Sequence, residues 1–228
     1  MKKENETDTP NAGPIEPAAG ARPEKTKQKG RFRENLEAIA LAVLLALFIR
    51  TFVFQAFKIP SKSMLETLQV GDHILVNKFI YGVKIPFTDQ TLIPISRPGR
   101  GDIIVFKFPL DPSIDYIKRV MAVAGDKIEI RNKKVYVNDL PVPDEAAIHT
   151  SSLFLPRRDR MAPVVIPKNS VFVMGDNREN SQDSRYWGVV DISMVKGKAF
   201  VIYWSWDREK PLSSMERVRW DRLGKLLK

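Results

Sequence analysis

The sequence predicts a mainly β, antiparallel domain carried behind a single N-terminal transmembrane helix. Three observations lead there. The run from Leu36 to Phe57 is apolar over a length that crosses a bilayer as a helix, since twenty-two residues at about 1.5 Å each exceed 30 Å. Beyond it the apolar runs shorten to strand length. Between those runs a Gly-Asp dipeptide recurs, at Gly71-Asp72, Gly101-Asp102, Gly125-Asp126 and Gly175-Asp176. Glycine supplies the positive φ of a tight turn, and aspartate bonds back to the turn backbone.

In chain order, residues 1–35 read as a disordered, basic tail. Their Pro, Ala, Glu and Lys content buries too little apolar surface to offset ordering entropy. Residues 36–57 form the anchor, interrupted by Arg50, which can snorkel to headgroups near the helix end. A cleaved signal peptide with its core at 38–49 is the rival reading. The long preceding tail and the lack of an Ala-x-Ala site weigh against it. Lys25, Lys27, Lys29, Arg31 and Arg33 hold the tail in the cytoplasm and place residues 58–228 outside. Basic residues at 50, 58 and 62 oppose that orientation from the other end.

In the outer domain, strands are expected at 73–76, 103–108, 116–123, 127–130, 135–137, 171–174 and 199–204. Asn138-Asp139 marks a hairpin turn. Residues from about 140 to 167 carry five prolines and Arg157-Arg158-Asp159-Arg160, and read as a loop-rich excursion. A Ser-x-x-Glu pattern at Ser213–Glu216 predicts a short terminal helix, either packed on the domain or facing lipid. Trp204 and Trp206 suit either a membrane interface or the core.

Composition narrows the chemistry. With no cysteine among 228 residues, thiol catalysis, thiolate metal sites and disulfides are excluded. The two histidines, His73 and His149, are too few for a histidine metal cluster. The net charge of +10 flanks the apolar segment and recurs near the C-terminus, which fits anionic lipid at least as well as nucleic acid.

Four blocks carry the functional signal. The first is Ile59-Pro-Ser-Lys-Ser-Met64, at the exit of the anchor, and the second runs from Gly71 to Gly82. The third is Asp115-Tyr-Ile-Lys-Arg-Val-Met-Ala-Val-Ala-Gly-Asp126, and the fourth is Gly175-Asp-Asn-Arg-Glu-Asn-Ser-Gln-Asp-Ser-Arg-Tyr-Trp-Gly188. In order and spacing, over nearly the whole chain after residue 36, these blocks resemble the bacterial type I signal peptidases. Those are membrane-bound Ser-Lys proteases that remove signal peptides from exported proteins.

That resemblance implies Ser63 as nucleophile and Lys118 as general base. Ser61 would add its hydroxyl to the oxyanion hole, and Ser181 would orient the Lys118 amine. Asp183 and Arg185 would form a supporting ion pair, with Asp176 and Arg178 nearby. Phe57, Ile59, Met64, Leu68, Tyr116 and Ile117 would line pockets for the small residues before the cut. It also implies preproteins and membrane lipids as partners, a place in the bacterial inner membrane, and no cofactor, metal or nucleic acid. Glu66 stands where the family usually has proline, and Lys62 where it often has glycine.

The residues support the same chemistry independently. A serine attacks a peptide carbonyl well only when a base takes its proton. Lysine in water has a pKa near 10.4, so only about one in a few thousand is neutral at pH 7, and burial lowers that value. Spacing alone does not separate Lys118 from Lys78 or Lys107, and each could be a solvated edge-strand lysine. Ser193-Met-Val-Lys196 also matches a Ser-x-x-Lys pattern, without its partner motifs. Two other classes compete: a self-cleaving Ser-Lys repressor, which predicts an N-terminal DNA-binding helix pair, and an inactive membrane-tethered binding module.

Overall fold

Alternating apolar strands organise the domain, and every strand pairing is antiparallel. The computed structural model describes residues 31–85, 91–207, 209–211 and 214–227. Most of the expected tail, including Lys25, Lys27 and Lys29, lies outside the described residues. The chain divides into two units, residues 1–42 and 43–228, and all the sheets belong to the second.

Helix α1 runs Arg31–Phe48, followed by a π-helical turn at Ile49–Val53. The last five residues of the expected tail are therefore helical. The expected anchor also ends early, because Phe54–Lys58 form strand β1, paired with β2 (Asp72–Asn77). An apolar run this short satisfies a helix or a strand equally, and only its pairing decides. Among the described residues, no helix is long and apolar enough to cross a membrane. In α1, Val43, Leu44, Leu45, Leu47 and Phe48 are all exposed, so apolar side chains cover every side of this turn.

All seven expected strands form. A two-stranded sheet joins β3 (Gly82–Lys84) to β4 (Thr91–Pro94). Next come β5 (Ile103–Phe108), β6 (Asp111–Val123), β7 (Lys127–Arg131) and β8 (Lys134–Val137). They are followed by β9 (Leu140–Pro141), β10 (Met161–Val165), β11 (Ser170–Met174), β12 (Val190–Asp191) and β13 (Val195–Ser205). The main sheet has the order β1-β2-β13-β5-β6-β11-β12, and a four-stranded sheet has the order β10-β7-β8-β9. The 140–167 excursion thus supplies both edges of the smaller sheet. Its Pro163 lies where the β10–β7 register shifts, at an edge that tolerates a missing N–H.

Turn chemistry follows the Gly-Asp pattern at three of its four sites. Gly71, Gly101 and Gly125 have φ of 97°, 88° and 87°. Asp72, Asp102 and Asp126 each accept from the backbone N–H three residues earlier, at Gln69, Gly99 and Val123. Asn138 and Asp139 adopt φ of 53° and 66°, the left-handed pair of a tight hairpin between β8 and β9.

At the C-terminus the expected α-helix is replaced by two 3₁₀ turns, Met215–Arg217 and Trp220–Arg222. Ser213, the expected cap, lies outside the described residues. Tertiary bonds hold these turns. Arg222 binds Asp72 through Nη2–Oδ2 at 2.6 Å and Nε–Oδ1 at 3.1 Å, and donates to Thr67 O. Trp204 and Trp206 are half-buried, against Trp220 and the Arg217 guanidinium. Asp72 is fully buried and Arg222 is 5% exposed, so removing one partner strands a charge. Arg222→Ala should lower unfolding free energy by about 3–5 kcal/mol, measured by chemical denaturation in detergent. A change below about 1 kcal/mol would mean that water reaches the pair.

Candidate active site

The segment after β1 bends at Lys62 and turns from Ser63 to Thr67, and Ser61, Lys62 and Ser63 line one cleft with Tyr116, Ile117 and Lys118 of β6. Apolar anchors fix it, because Ile59, Met64 and Leu68 all sit in the core beneath the main sheet. They belong to that core rather than to the lining of the cleft, and Phe57 packs against the same cluster. Of the six expected pocket residues, Tyr116 and Ile117 line the cleft. The cleft holds about 420 Å³, with Ser61, Ser63, Lys118 and Ser181 in its walls.

Lys118 Nζ donates to Ser63 Oγ at 2.8 Å and to Ile117 O at 3.0 Å. The lysine is 4% exposed and Ser63 is 8% exposed. Burial pulls the amine down to about 8, against the opposing pull of Asp183 and Asp176, while Arg185 adds to the lowering. Tertiary placement separates the other candidates. Lys78 donates to Thr51 O at 2.6 Å, and Lys196 pairs with Asp115 at 2.7 Å. His149 pairs with Glu179, and His73 packs edge-on against Tyr203.

Ser61 Oγ lies 3.4 Å from Ser63 Oγ, a long contact in which either oxygen could donate. Ser181 departs from its expected role. Its hydroxyl is buried and makes no hydrogen bond among the described residues, so Ile117 O is the other acceptor for Lys118. Gly175 lies beneath it and, unlike the other Gly-Asp glycines, does not adopt a positive φ. Space is its reason: a Cβ there would stand 2.3 Å from Ser181 Oγ and 2.4 Å from Ser63 O.

Asp183 and Arg185 form a bidentate pair, with both contacts at 2.8 Å. Asp183 also accepts from Gly175 N–H at 3.0 Å, and Arg185 donates to Arg178 O at 2.7 Å. Asp176 and Arg178 take separate partners. Asp176 receives both arms of Arg119 at 2.8 Å and the Thr67 hydroxyl at 2.6 Å, while Arg178 pairs with Asp144. Sequence reasoning missed Arg119, Thr67 and Asn177. Asn177 N donates to Ser63 O and its Nδ2 to Lys62 O, each at 3.1 Å. Asn177 stands in the quoted Gly-Asp-Asn-Arg block, but nothing in sequence says which carbonyls it meets.

Comparison with known proteins gives the family. Residues 32–204 match the family described as Signal peptidase, peptidase S26. Signal peptidase I of Pseudomonas aeruginosa is 38% identical over 201 residues, covering 74% of this chain and 71% of its own. That of Leptolyngbya laminosa is 36% identical over 216 residues, covering 91% and 95%. A solved signal peptidase I from Enterococcus faecalis V583 is 26% identical with a TM-score of 0.38, covering 45% of this chain and 97% of that chain. The family match spans well over half the sequence, and this chain therefore belongs to the signal peptidases of peptidase family S26, which are serine protease hydrolases.

Proposed function

We propose that this chain is a membrane-anchored signal peptidase whose nucleophile is Ser63 and whose general base is Lys118. The observation that carries the reading is the 2.8 Å contact between a buried amine and a serine hydroxyl. Neutral Lys118 takes the Ser63 proton as Oγ bonds to the scissile carbonyl carbon. The oxyanion that forms is met by the Ser61 hydroxyl and the Ser63 N–H. Collapse breaks the C–N bond, and the leaving amine takes the proton from the Lys118 ammonium. Water then attacks the acyl-serine and gives a proton to the neutral Lys118 amine; the C–Oγ bond breaks, the carboxylate product leaves, and Lys118 returns that proton to Ser63 Oγ.

The substrate class fits the cleft. The stretch of β6 from Asp115 to Lys118 pairs with β5 on one edge, whereas β11 joins only from Arg119 onward. An extended preprotein can lie along the other edge, beside Pro60–Ser63, with small side chains toward Tyr116 and Ile117. The exposed apolar sides of α1 support anchoring in lipid, and the basic cluster Lys25, Lys27, Lys29, Arg31 and Arg33 supports a cytoplasmic N-terminus with the catalytic domain outside. The repressor alternative does not explain this anchor, and the inactive binding-module alternative does not explain the poised amine.

Protease added to intact spheroplasts should degrade the β-rich domain, and complete protection there would reverse the orientation. Ser61→Ala should fold normally and lower kcat by about 10²–10³, the usual effect of losing one oxyanion donor. Unchanged kcat would return Ser61 to a turn role.

The base must be neutral, and protonation disables it. Activity should therefore rise about tenfold per pH unit below the lysine's pKa of about 8, then level off above it. Lys118→Arg keeps the charge but does not deprotonate in this range, so it should be folded and inactive. A native-like Lys118→Arg enzyme that cleaves preproteins would overturn the Ser-Lys reading.

A further inference from the structure

The nucleophile loop needs a rigid reference, and Asn177 is placed to supply one. Its backbone N–H and its side-chain Nδ2 each bond, at 3.1 Å, to consecutive carbonyls, those of Ser63 and Lys62. A single residue thus grips the peptide units on both sides of the nucleophile's Cα. Those two bonds oppose rotation of the backbone that aims Ser63 Oγ at Lys118.

Asn177 is itself held by the 140–167 excursion. Ile148 bridges it in parallel, with Ile148 N–H donating to Asp176 O at 2.8 Å and Arg178 N–H to Ile148 O at 3.1 Å. Asp144 pairs with Arg178 on one side. On the other, Glu179 accepts from Thr150 N–H at 2.9 Å and contacts His149 at 3.0 Å and Lys133 at 3.1 Å. Residues 144–150 therefore brace the turn from behind, while Asn177 faces the nucleophile loop.

The choice of amide is informative. Asn177 is 4% exposed, yet its Oδ1 is buried and makes no hydrogen bond among the described residues. A buried acceptor left without a partner is unfavourable, so this side chain is a poor choice for stability alone. What the amide does provide is the Nδ2 donor to Lys62 O.

We propose that Asn177 is a positioning residue that fixes the nucleophile loop, and that the excursion's role is to hold Asn177 in place. The inference rests on the Ser63–Lys118 reading. Its consequence is a split between kcat and KM, because substrate binding along β6 does not use the Asn177 side chain.

Three variants test it: Asn177→Ala, the isosteric Asn177→Asp, and Ser63→Ala as control. Preprotein cleavage is measured across pH, with rates normalised to the folded fraction from circular dichroism. Asn177→Ala should lower kcat about tenfold or more, leave KM within about twofold, and keep the pH midpoint of wild type. Asn177→Asp should do at least as badly, since a carboxylate facing Lys62 O repels it where an amide donates. Activity near wild type in Asn177→Ala, or recovery by the space-filling aspartate, would overturn the proposal. A rise in KM alone would also overturn it. Ser63→Ala separates the two levels: if that enzyme remains active, the Ser-Lys reading fails, whatever the Asn177 variants do.

Discussion

Keeping one lysine amine out of water while holding a serine hydroxyl against it is the constraint on which this structure depends. Burial lowers the amine's proton affinity, but a dry site also magnifies any nearby charge. Asp183 and Asp176 both stand close enough to restore the proton. Each is bound by its own arginine, Arg185 and Arg119. Pairing each carboxylate in this way blunts its field at the amine, so that burial remains the largest influence.

The same pairs tie the elements together. Arg119 follows Lys118 on β6, and Thr67 belongs to the segment that follows Ser63; both bond Asp176. Strand β6 beside Lys118, the segment that carries Ser63 and the 175–185 turn therefore share one carboxylate. From below, Ile59, Met64 and Leu68 pin the loop into the apolar core. At the far end, Arg222 grips Asp72 and Thr67 O, so the C-terminal turns are locked to the same segment.

Gly175 illustrates how local and tertiary demands differ. Its three counterparts in the Gly-Asp series turn the chain with positive φ. At Gly175 the backbone does not need that freedom; a side chain would collide with Ser181 and with the Ser63 carbonyl. The same dipeptide thus serves turn geometry at three positions and close packing at the fourth.

Sequence alone determined the features that short-range chemistry dictates. Short apolar runs placed all seven expected strands, the Asn138-Asp139 hairpin followed from left-handed turn preferences, and the four blocks pointed to the family. It did not determine choices that contacts between distant segments make. Phe54–Phe57 reads as helix until β2 offers a partner, and the C-terminal stretch reads as one helix until Arg222 is drawn to Asp72. Lys78 and Lys118 both lie in apolar surroundings along the chain, but only the folded sheet brings one of them to a serine. Separations of 55 residues between Lys118 and Ser63, and of 115 between Asn177 and Lys62, carry no local periodicity, so tertiary structure alone decided which side chains meet.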